Sequence, residues 1–103
     1  MGSLKELFDK SRLLWGLESQ MLMLVEELNE LGVAALHLLR TNRPKIECEN
    51  HFAEEIADVE FMLAEMKHYF KNTEDIAYYR EKKEKRLRQM LAVCCKVQRK
   101  KPK

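Results

Sequence analysis

The sequence predicts an all-α protein. Its 103 residues suit a single domain, and hydrophobic residues make up 46% of them, which is enough to form a core. Only three glycines and two prolines are present, about half the average usage for a chain of this length. So few turn-forming residues leave little room for the loops of a β-sandwich. Apolar residues that recur every three or four positions indicate helices joined by short loops.

The first predicted helix covers residues 4–14. Ser3 is a typical N-cap residue, and Glu6, three positions later, completes the pattern of a capping box. The dipeptide Trp15-Gly16 is expected to interrupt or kink the helix, because glycine is a poor helix former.

The second predicted helix runs from about Glu18 to Arg40 and is followed by a turn over residues 41–44. The turn is expected because the residue that precedes Pro44 avoids the helical region. The apolar residues of this helix keep a period close to 3.6 residues. They are Leu24, Leu28, Leu31, Ala35 and Leu38.

The third predicted helix starts after a cap at Asn50 and reaches Tyr69 or Phe70. Thr73 is the expected cap of a fourth helix over Glu74–Val97. We therefore expect one helical domain over residues 1–97 and a basic disordered tail over residues 98–103. The predicted apolar stripe of the third helix consists of Phe52, Ile56, Val59, Leu63, Met66 and Phe70.

The charges are unevenly distributed along the chain. The net charge is +2, but residues 80–103 hold eleven basic and two acidic residues, whereas residues 1–79 hold eight basic and fifteen acidic ones. A basic helix and tail attract phosphates without reading sequence, so a nucleic-acid-binding module is one alternative for this end of the chain. The acidic body argues against it, and we do not expect nucleic acid to be a partner.

Two other observations restrict the class of protein. No apolar run reaches the roughly 20 residues that a membrane-spanning helix needs, so we expect no membrane partner. The three cysteines, Cys48, Cys94 and Cys95, are an odd number without a CxxC pair, which fits neither a disulfide framework nor a zinc site. We therefore expect a reducing, cytoplasmic compartment.

The informative residues are acidic ones on apolar helix faces. At 100° per residue, Glu27 points the same way as Leu24 and Leu31, and Glu30 follows one turn later at the edge of that face. On the third helix, Glu55 lines up with Val59, and Asp58 lies beside it one turn later. Two helices therefore each present an acidic pair towards a predicted interior.

Carboxylates turned inwards without partners cost several kcal/mol each, and a shared cation would remove this penalty. The four side chains offer only hard oxygen ligands, which suit Mg²⁺ or Mn²⁺ better than zinc or copper. The alternative is that both pairs lie on solvated faces, as most acidic residues do.

The acidic residues also resemble a known family. The pattern EExxE, then a gap, then ExxD is similar to that of the MazG-type all-α nucleoside triphosphate pyrophosphohydrolases. Here it reads Glu26-Glu27-Leu28-Asn29-Glu30, followed after twenty-four residues by Glu55-Ile56-Ala57-Asp58. Trp15-Gly16 followed by Gln20 resembles the entry segment of that family, and Lys83-Glu84-Lys85-Arg86-Leu87 resembles a basic motif of its last helix. The resemblance covers about residues 15–91.

The resemblance implies a fold, a reaction and a set of roles. The fold would be a four-to-five-helix MazG-like bundle completed by oligomerisation, as a homodimer or homotetramer. The reaction would be metal-dependent hydrolysis of a nucleoside triphosphate to the monophosphate and pyrophosphate, with water attacking the α-phosphorus. The metal ligands would be Glu27, Glu30, Glu55 and Asp58, with Mg²⁺ or Mn²⁺ as cofactor. Glu26 would support the ligands from outside the coordination sphere or orient the water.

Four further residues are candidates for binding the substrate. Lys83 and Arg86 lie one turn apart on the last helix and could meet free phosphate oxygens. Trp15 could stack on the base, and Gln20 could hydrogen-bond the base or the ribose. The alternatives are that Lys83 and Arg86 are solvated and that Trp15 anchors the core.

A third function class stays open. The chain could be a non-catalytic helical interaction protein that has this fold without the activity. The intact acidic motifs weigh against this interpretation.

Overall fold

A computed structural model describes residues 2–40 and 42–100, with the side chains of residues 97–100 excepted. It contains four helices: α1 (Leu4–Trp15), α2 (Leu17–Arg40), α3 (Lys45–Phe70) and α4 (Thr73–Lys100). No strand occurs within these described residues, so the prediction of an all-α protein is confirmed. In the same part of the chain, none of the helices combines the length and the apolar character that crossing a membrane requires.

The junction between α1 and α2 agrees with the sequence. The Ser3 hydroxyl oxygen accepts a hydrogen bond from the Glu6 amide at 3.3 Å, which caps α1. Gly16 separates the two helices with φ at 85°, a value that glycine adopts at little cost. Its amide donates to the Arg12 carbonyl at 2.8 Å, and its own carbonyl accepts from the Gln20 amide at 3.2 Å. The predicted interruption at Gly16 is confirmed.

The predicted start of the third helix at Asn50 is wrong. α3 begins at Lys45, and Pro44 is its N-cap residue with φ at −53°. The Pro44 carbonyl accepts hydrogen bonds from the amides of Glu47 and Cys48 at 3.1 and 3.3 Å. Proline cannot lie inside a helix without breaking it, and at the N-cap of α3 its missing N–H has no helical partner to lose. Glu47 adds a favourable negative charge to the first turn. Asn50 therefore lies inside α3.

The junction between α3 and α4 consists of two residues. Lys71 ends α3 in the left-handed region, with φ at 49° and ψ at 44°, and its amide donates to the Lys67 carbonyl at 2.9 Å. The Asn72 carbonyl accepts from the Ile76 amide at 3.0 Å. Asn72 therefore takes the cap position that the sequence assigned to Thr73, which is the first residue of α4.

The chain divides into two compact units, one up to Lys71 and one from Asn72 onwards. The second unit consists of α4, whose helix extends to Lys100. The segment 98–103 was expected to be a tail, and its last three residues lie outside the described residues.

The first unit is built on a hairpin of α2 and α3. The buried side chains of Gln20 and Glu65 meet across it. Farther along α2, the side chains of Glu27, which is half-buried, and Asp58, which is exposed, also meet. Residue numbers thus rise along α2 as they fall along α3, so the two helices run antiparallel, as expected for helices joined by so short a loop. The buried apolar residues of this unit are Phe8, Ala34, Cys48, Val59, Met62 and Met66.

α1 packs against the C-terminal half of α3. The ring of Phe8, only 3% exposed, lies edge-on to the ring of Phe61 with centroids 5.4 Å apart. The Tyr69 hydroxyl donates to the Phe8 carbonyl at 2.6 Å, and His68 Nε2 lies 2.7 Å from Asp9 Oδ1. The Arg12 guanidinium also lies over the Tyr69 ring, 5.3 Å from its centroid, so one apolar ring and three polar contacts hold α1 on α3.

The apolar stripe predicted for α3 is only partly buried. Val59 and Met66 are buried, but Leu63 is 41% exposed and Phe70 is 50% exposed. The buried face is turned towards the flank of the stripe, because α2 packs on the side that carries Glu55 and Met62. An apolar edge of α3 therefore remains on the surface of the unit.

Candidate metal centre

Three carboxylates from two helices converge on one point of the α2–α3 hairpin. Glu27 comes from α2, whereas Glu55 and Asp58 come from successive turns of α3. One oxygen atom from each side chain lies within 4.8 Å of the other two. We call these three residues the acidic cluster.

Burial and mutual repulsion raise the pKa values of two members of the acidic cluster, Glu27 and Glu55. Glu55 is only 7% exposed, Glu27 is half-buried and Asp58 is exposed. Burial raises the pKa of Glu27, and the negative charge of Glu30 and of the two α3 carboxylates raises it further. Burial likewise raises the pKa of Glu55, with Glu30 and Asp58 as the next causes. The site therefore disfavours its own negative charge.

Two oxygen atoms of the acidic cluster are buried without a hydrogen-bond partner among the described residues. They are Oε2 of Glu27 and Oε2 of Glu55. Buried carboxylate oxygens are normally satisfied by donors or cations, because leaving them bare costs free energy. A hard divalent cation would satisfy both atoms and offset the repulsion, so the residues present fit Mg²⁺ or Mn²⁺.

Glu30 and Glu26 lie outside the triad of closest oxygens. Glu30 is exposed, but its charge is the largest electrostatic contribution to the raised pKa of both Glu27 and Glu55. Glu30 lines the same cavity as Glu55 but is not one of the three residues whose oxygens converge, so its role as a fourth ligand stays a prediction. Glu26 is also exposed, and its charge has the smallest effect of the four carboxylates that act on Glu27.

His51 is a member of this site that sequence reasoning missed. Its Nε2 atom lies 3.7 Å from Oε1 of Glu55, and a positive charge on His51 lowers the pKa that burial raises. The available signal was its spacing, since a side chain four residues before Glu55 lies on the same helix face.

The structure places Gln20 in the interior, where it is 2% exposed. Its amide nitrogen, oriented towards the Glu65 carboxylate, donates to Oε2 at 2.7 Å and Oε1 at 3.2 Å. Burial raises the pKa of Glu65, and the hydrogen bond with Tyr69 opposes this shift. Burial and the nearby Glu65 in turn raise the pKa of Tyr69 to about 12. Gln20 thus stabilises a buried acid across the hairpin.

Glu65 was also missed by sequence reasoning. It is 3% exposed, although acidic residues are seldom buried. The available signal was that Glu65 follows Asp58 by seven residues, which returns the side chain to nearly the same helix face after two turns.

The other residues predicted to bind substrate are exposed. Trp15 is 59% exposed at the C-terminus of α1. Lys83 and Arg86 are exposed on α4, three residues apart. All three side chains are thus available to a ligand.

The chain was compared with models of protein families, with curated proteins and with solved structures, and none of the three comparisons found a match. The chemistry that the site can perform is therefore inferred from the residues of the site. The acidic cluster offers oxygen ligands only, is partly shielded from water and has no Ser or Cys nucleophile among its members. Such a site suits hydrolysis assisted by a divalent metal ion.

Proposed function

We propose that this protein is a metal-dependent nucleoside triphosphate pyrophosphohydrolase. The observation that carries the proposal is the acidic cluster with its two buried, unpartnered oxygens on Glu27 and Glu55. The motif EExxE followed by ExxD, which resembles that of the MazG-type enzymes, supports the choice of reaction. The products would be a nucleoside monophosphate and pyrophosphate, with water attacking the α-phosphorus.

In this proposal Glu27, Glu55 and Asp58 hold Mg²⁺ or Mn²⁺, and Glu30 contributes from the rim of the site. Such an ion, when bound, neutralises charge on phosphate oxygens and lowers the pKa of a water molecule. The protein's own part is to hold the carboxylates in position, and a bound cation would favour their ionised form. Glu26, next to Glu27 and exposed, orients the attacking water or supports the ligands.

Further parts of the proposal concern the substrate and the assembly. Lys83 and Arg86 would contact phosphate oxygens. The exposed apolar side chains on α2 and α3 support a homodimer or homotetramer, because an apolar surface of this extent is unusual for a monomer. Such side chains include Leu36, Leu39, Phe61, Leu63 and Phe70. We place the reaction in the cytoplasm.

The test is turnover of a panel of standard and modified ribo- and deoxyribonucleoside triphosphates with Mg²⁺ or Mn²⁺. We expect equal amounts of pyrophosphate and monophosphate, and no turnover in the presence of EDTA. Glu55→Gln should lower kcat by about 100-fold or more, since even partners of metal ligands are worth 10–100-fold. Glu60→Gln, an exposed position on the same helix, is the control and should leave kcat unchanged.

Two results would overturn the proposal. One is the absence of turnover for every nucleotide with both metal ions, which would favour the non-catalytic interaction protein. The other is release of inorganic phosphate alone, which would show cleavage at a different linkage.

A further inference from the structure

Two cavities lie next to each other between α2 and the N-terminal half of α3. The first, of about 290 Å³, is lined by Asn29, Glu30, Val33, His51 and Glu55. The second, of about 210 Å³, is lined by His37, Arg43, Glu47, Cys48 and His51. His51 lines both, so the two cavities adjoin each other, and we call them together the His51 groove.

We propose that the His51 groove holds the nucleoside part of the substrate, its base and sugar, while the triphosphate lies over the acidic cluster. This assignment rests on the proposed function. It adds the place at which the base is recognised and the side chains that recognise it.

The position of the groove supports this assignment. Glu55 belongs both to the acidic cluster and to the wall of the first cavity, so the groove opens directly at the metal ligands. In a nucleoside triphosphate the α-phosphate is bonded to the sugar. When that phosphate is at the metal ligands, the sugar and base must lie in an adjoining space, and the His51 groove adjoins them.

The lining of the groove fits a nucleoside better than a phosphate chain. Apolar surface, to which Val33 contributes, predominates in the first cavity, as is usual for pockets that bind the flat part of a ligand. Glu30 and Glu55 on the same wall would repel phosphate that no cation shields. The combined size of the two cavities is also within the roughly 300–1,000 Å³ of ordinary ligand pockets.

The polar side chains of the groove can read the edge of a base. The Asn29 carboxamide offers both a donor and an acceptor, and the His51 ring offers a flat face, while its Nε2 atom lies near Glu55. Farther along, His37 lines the second cavity, where it can donate to a carbonyl group of a base.

A third cavity, of about 360 Å³, does not compete for this role. It lies on the N-terminal half of α2 and is lined mainly by apolar side chains such as Met21 and Val25. No member of the acidic cluster lines it, so a base bound there would have no direct connection to the metal ligands.

The test uses two valines of α2 that are equally exposed, at 51% each. Val33→Phe narrows the His51 groove, whereas Val25→Phe makes the same change outside it. We expect Val33→Phe to raise the KM of nucleoside triphosphates by about tenfold, in line with the effect of small changes in a binding pocket. The inhibition constant of inorganic triphosphate, which has no nucleoside, should stay within twofold of the wild-type value. Val25→Phe should change neither quantity.

A second variant tests recognition of the base independently. Asn29 is exposed, so Asn29→Ala should fold normally and change the relative kcat/KM values among bases. An unchanged order of bases together with an unchanged KM in Val33→Phe would overturn the groove assignment and leave the proposed function standing. An equal loss of inorganic triphosphate binding in Val33→Phe would also overturn it. Absence of turnover in the wild-type protein would overturn both proposals.

Discussion

Replacing Phe8 with alanine tests how α1 is held on the hairpin. Phe8 is the only side chain of α1 that is buried within the described residues, at 3% exposure. Its ring lies edge-on to the ring of Phe61, with the centroids 5.4 Å apart, and its centroid is 6.0 Å from that of the His68 ring. The polar contacts of α1 with α3 use the carbonyl of residue 8 and the side chains of Asp9 and Arg12, and the substitution removes none of these groups.

The expected loss follows from the size of the buried ring. Truncating a buried phenylalanine to alanine costs about 3–5 kcal/mol, because apolar area is lost and a cavity remains. The edge-on pair with Phe61 is worth about 0.5–1.5 kcal/mol, which is already part of that loss. A domain of this size is stable by about 5–15 kcal/mol, so Phe8→Ala should remove a large fraction of the total.

The assay is unfolding in urea, which is monitored by circular dichroism. It is repeated at several protein concentrations, so that any effect of association is separated from folding. Leu13→Ala is the control, since Leu13 lies on the same helix and is 89% exposed. It should change the free energy of unfolding by no more than about 0.5 kcal/mol. A loss below about 1 kcal/mol in Phe8→Ala would refute the reasoning and show that α1 does not depend on this ring.

Three further predictions concern the buried acids. The folded-state pKa values of Glu27 and Glu55 lie above the ordinary value of 4.5, so the free-energy penalty for ionising them is absent below that pH and grows as pH rises through the folded-state values. The melting temperature of the metal-free protein should therefore fall over that pH range. The fall should be smaller in Glu55→Gln. Mg²⁺ or Mn²⁺ at 100 times its Kd should raise the free energy of unfolding of the wild-type protein at pH 7 by about 2.7 kcal/mol, but leave that of Glu55→Gln nearly unchanged. An equal rise in melting temperature in both proteins would argue against a specific site. Gln20→Leu removes the amide that donates to Glu65, and it should lower the free energy of unfolding by about 1–3 kcal/mol. Urea titration measures this change, with Gln89→Leu, at an exposed position, as the control. An unchanged midpoint of unfolding would show that the pairing of Gln20 with Glu65 contributes nothing to stability.

The positions of the helices could be predicted because they depend on local signals. Ser3, Gly16 and the 3.6-residue period of α2 act within a few residues, and the structure agrees with each of them. The start of α3 was missed because Asn50 is a stronger cap residue by type than Pro44, yet α3 begins directly after Pro44 without a hydrogen bond from a capping side chain.

The contents of the site were only partly predictable. The inward direction of Glu27 and Glu55 follows from helix periodicity, and the structure brings these residues together with Asp58. Which residues face one another across the hairpin depends on its register, and the sequence contains no local signal for that. The pairing of Gln20 with Glu65 and the groove beside His51 therefore emerge only from the fold.

The register of the hairpin gives the pairing of Gln20 with Glu65 a wider meaning. Glu27 follows Gln20 by seven residues on α2, and Asp58 precedes Glu65 by seven residues on α3. The pair of Gln20 and Glu65 and the pair of Glu27 and Asp58 therefore lie at equivalent levels of the hairpin, two helical turns apart, and we call each level a rung. On one rung an amide faces a carboxylate, and the hairpin satisfies its buried acid internally. On the other rung the amide is replaced by a second acid. A change from amide to acid at one residue thus distinguishes the rung that satisfies its buried acid from the rung at which we propose an ion, and Glu27→Gln would make the second rung resemble the first.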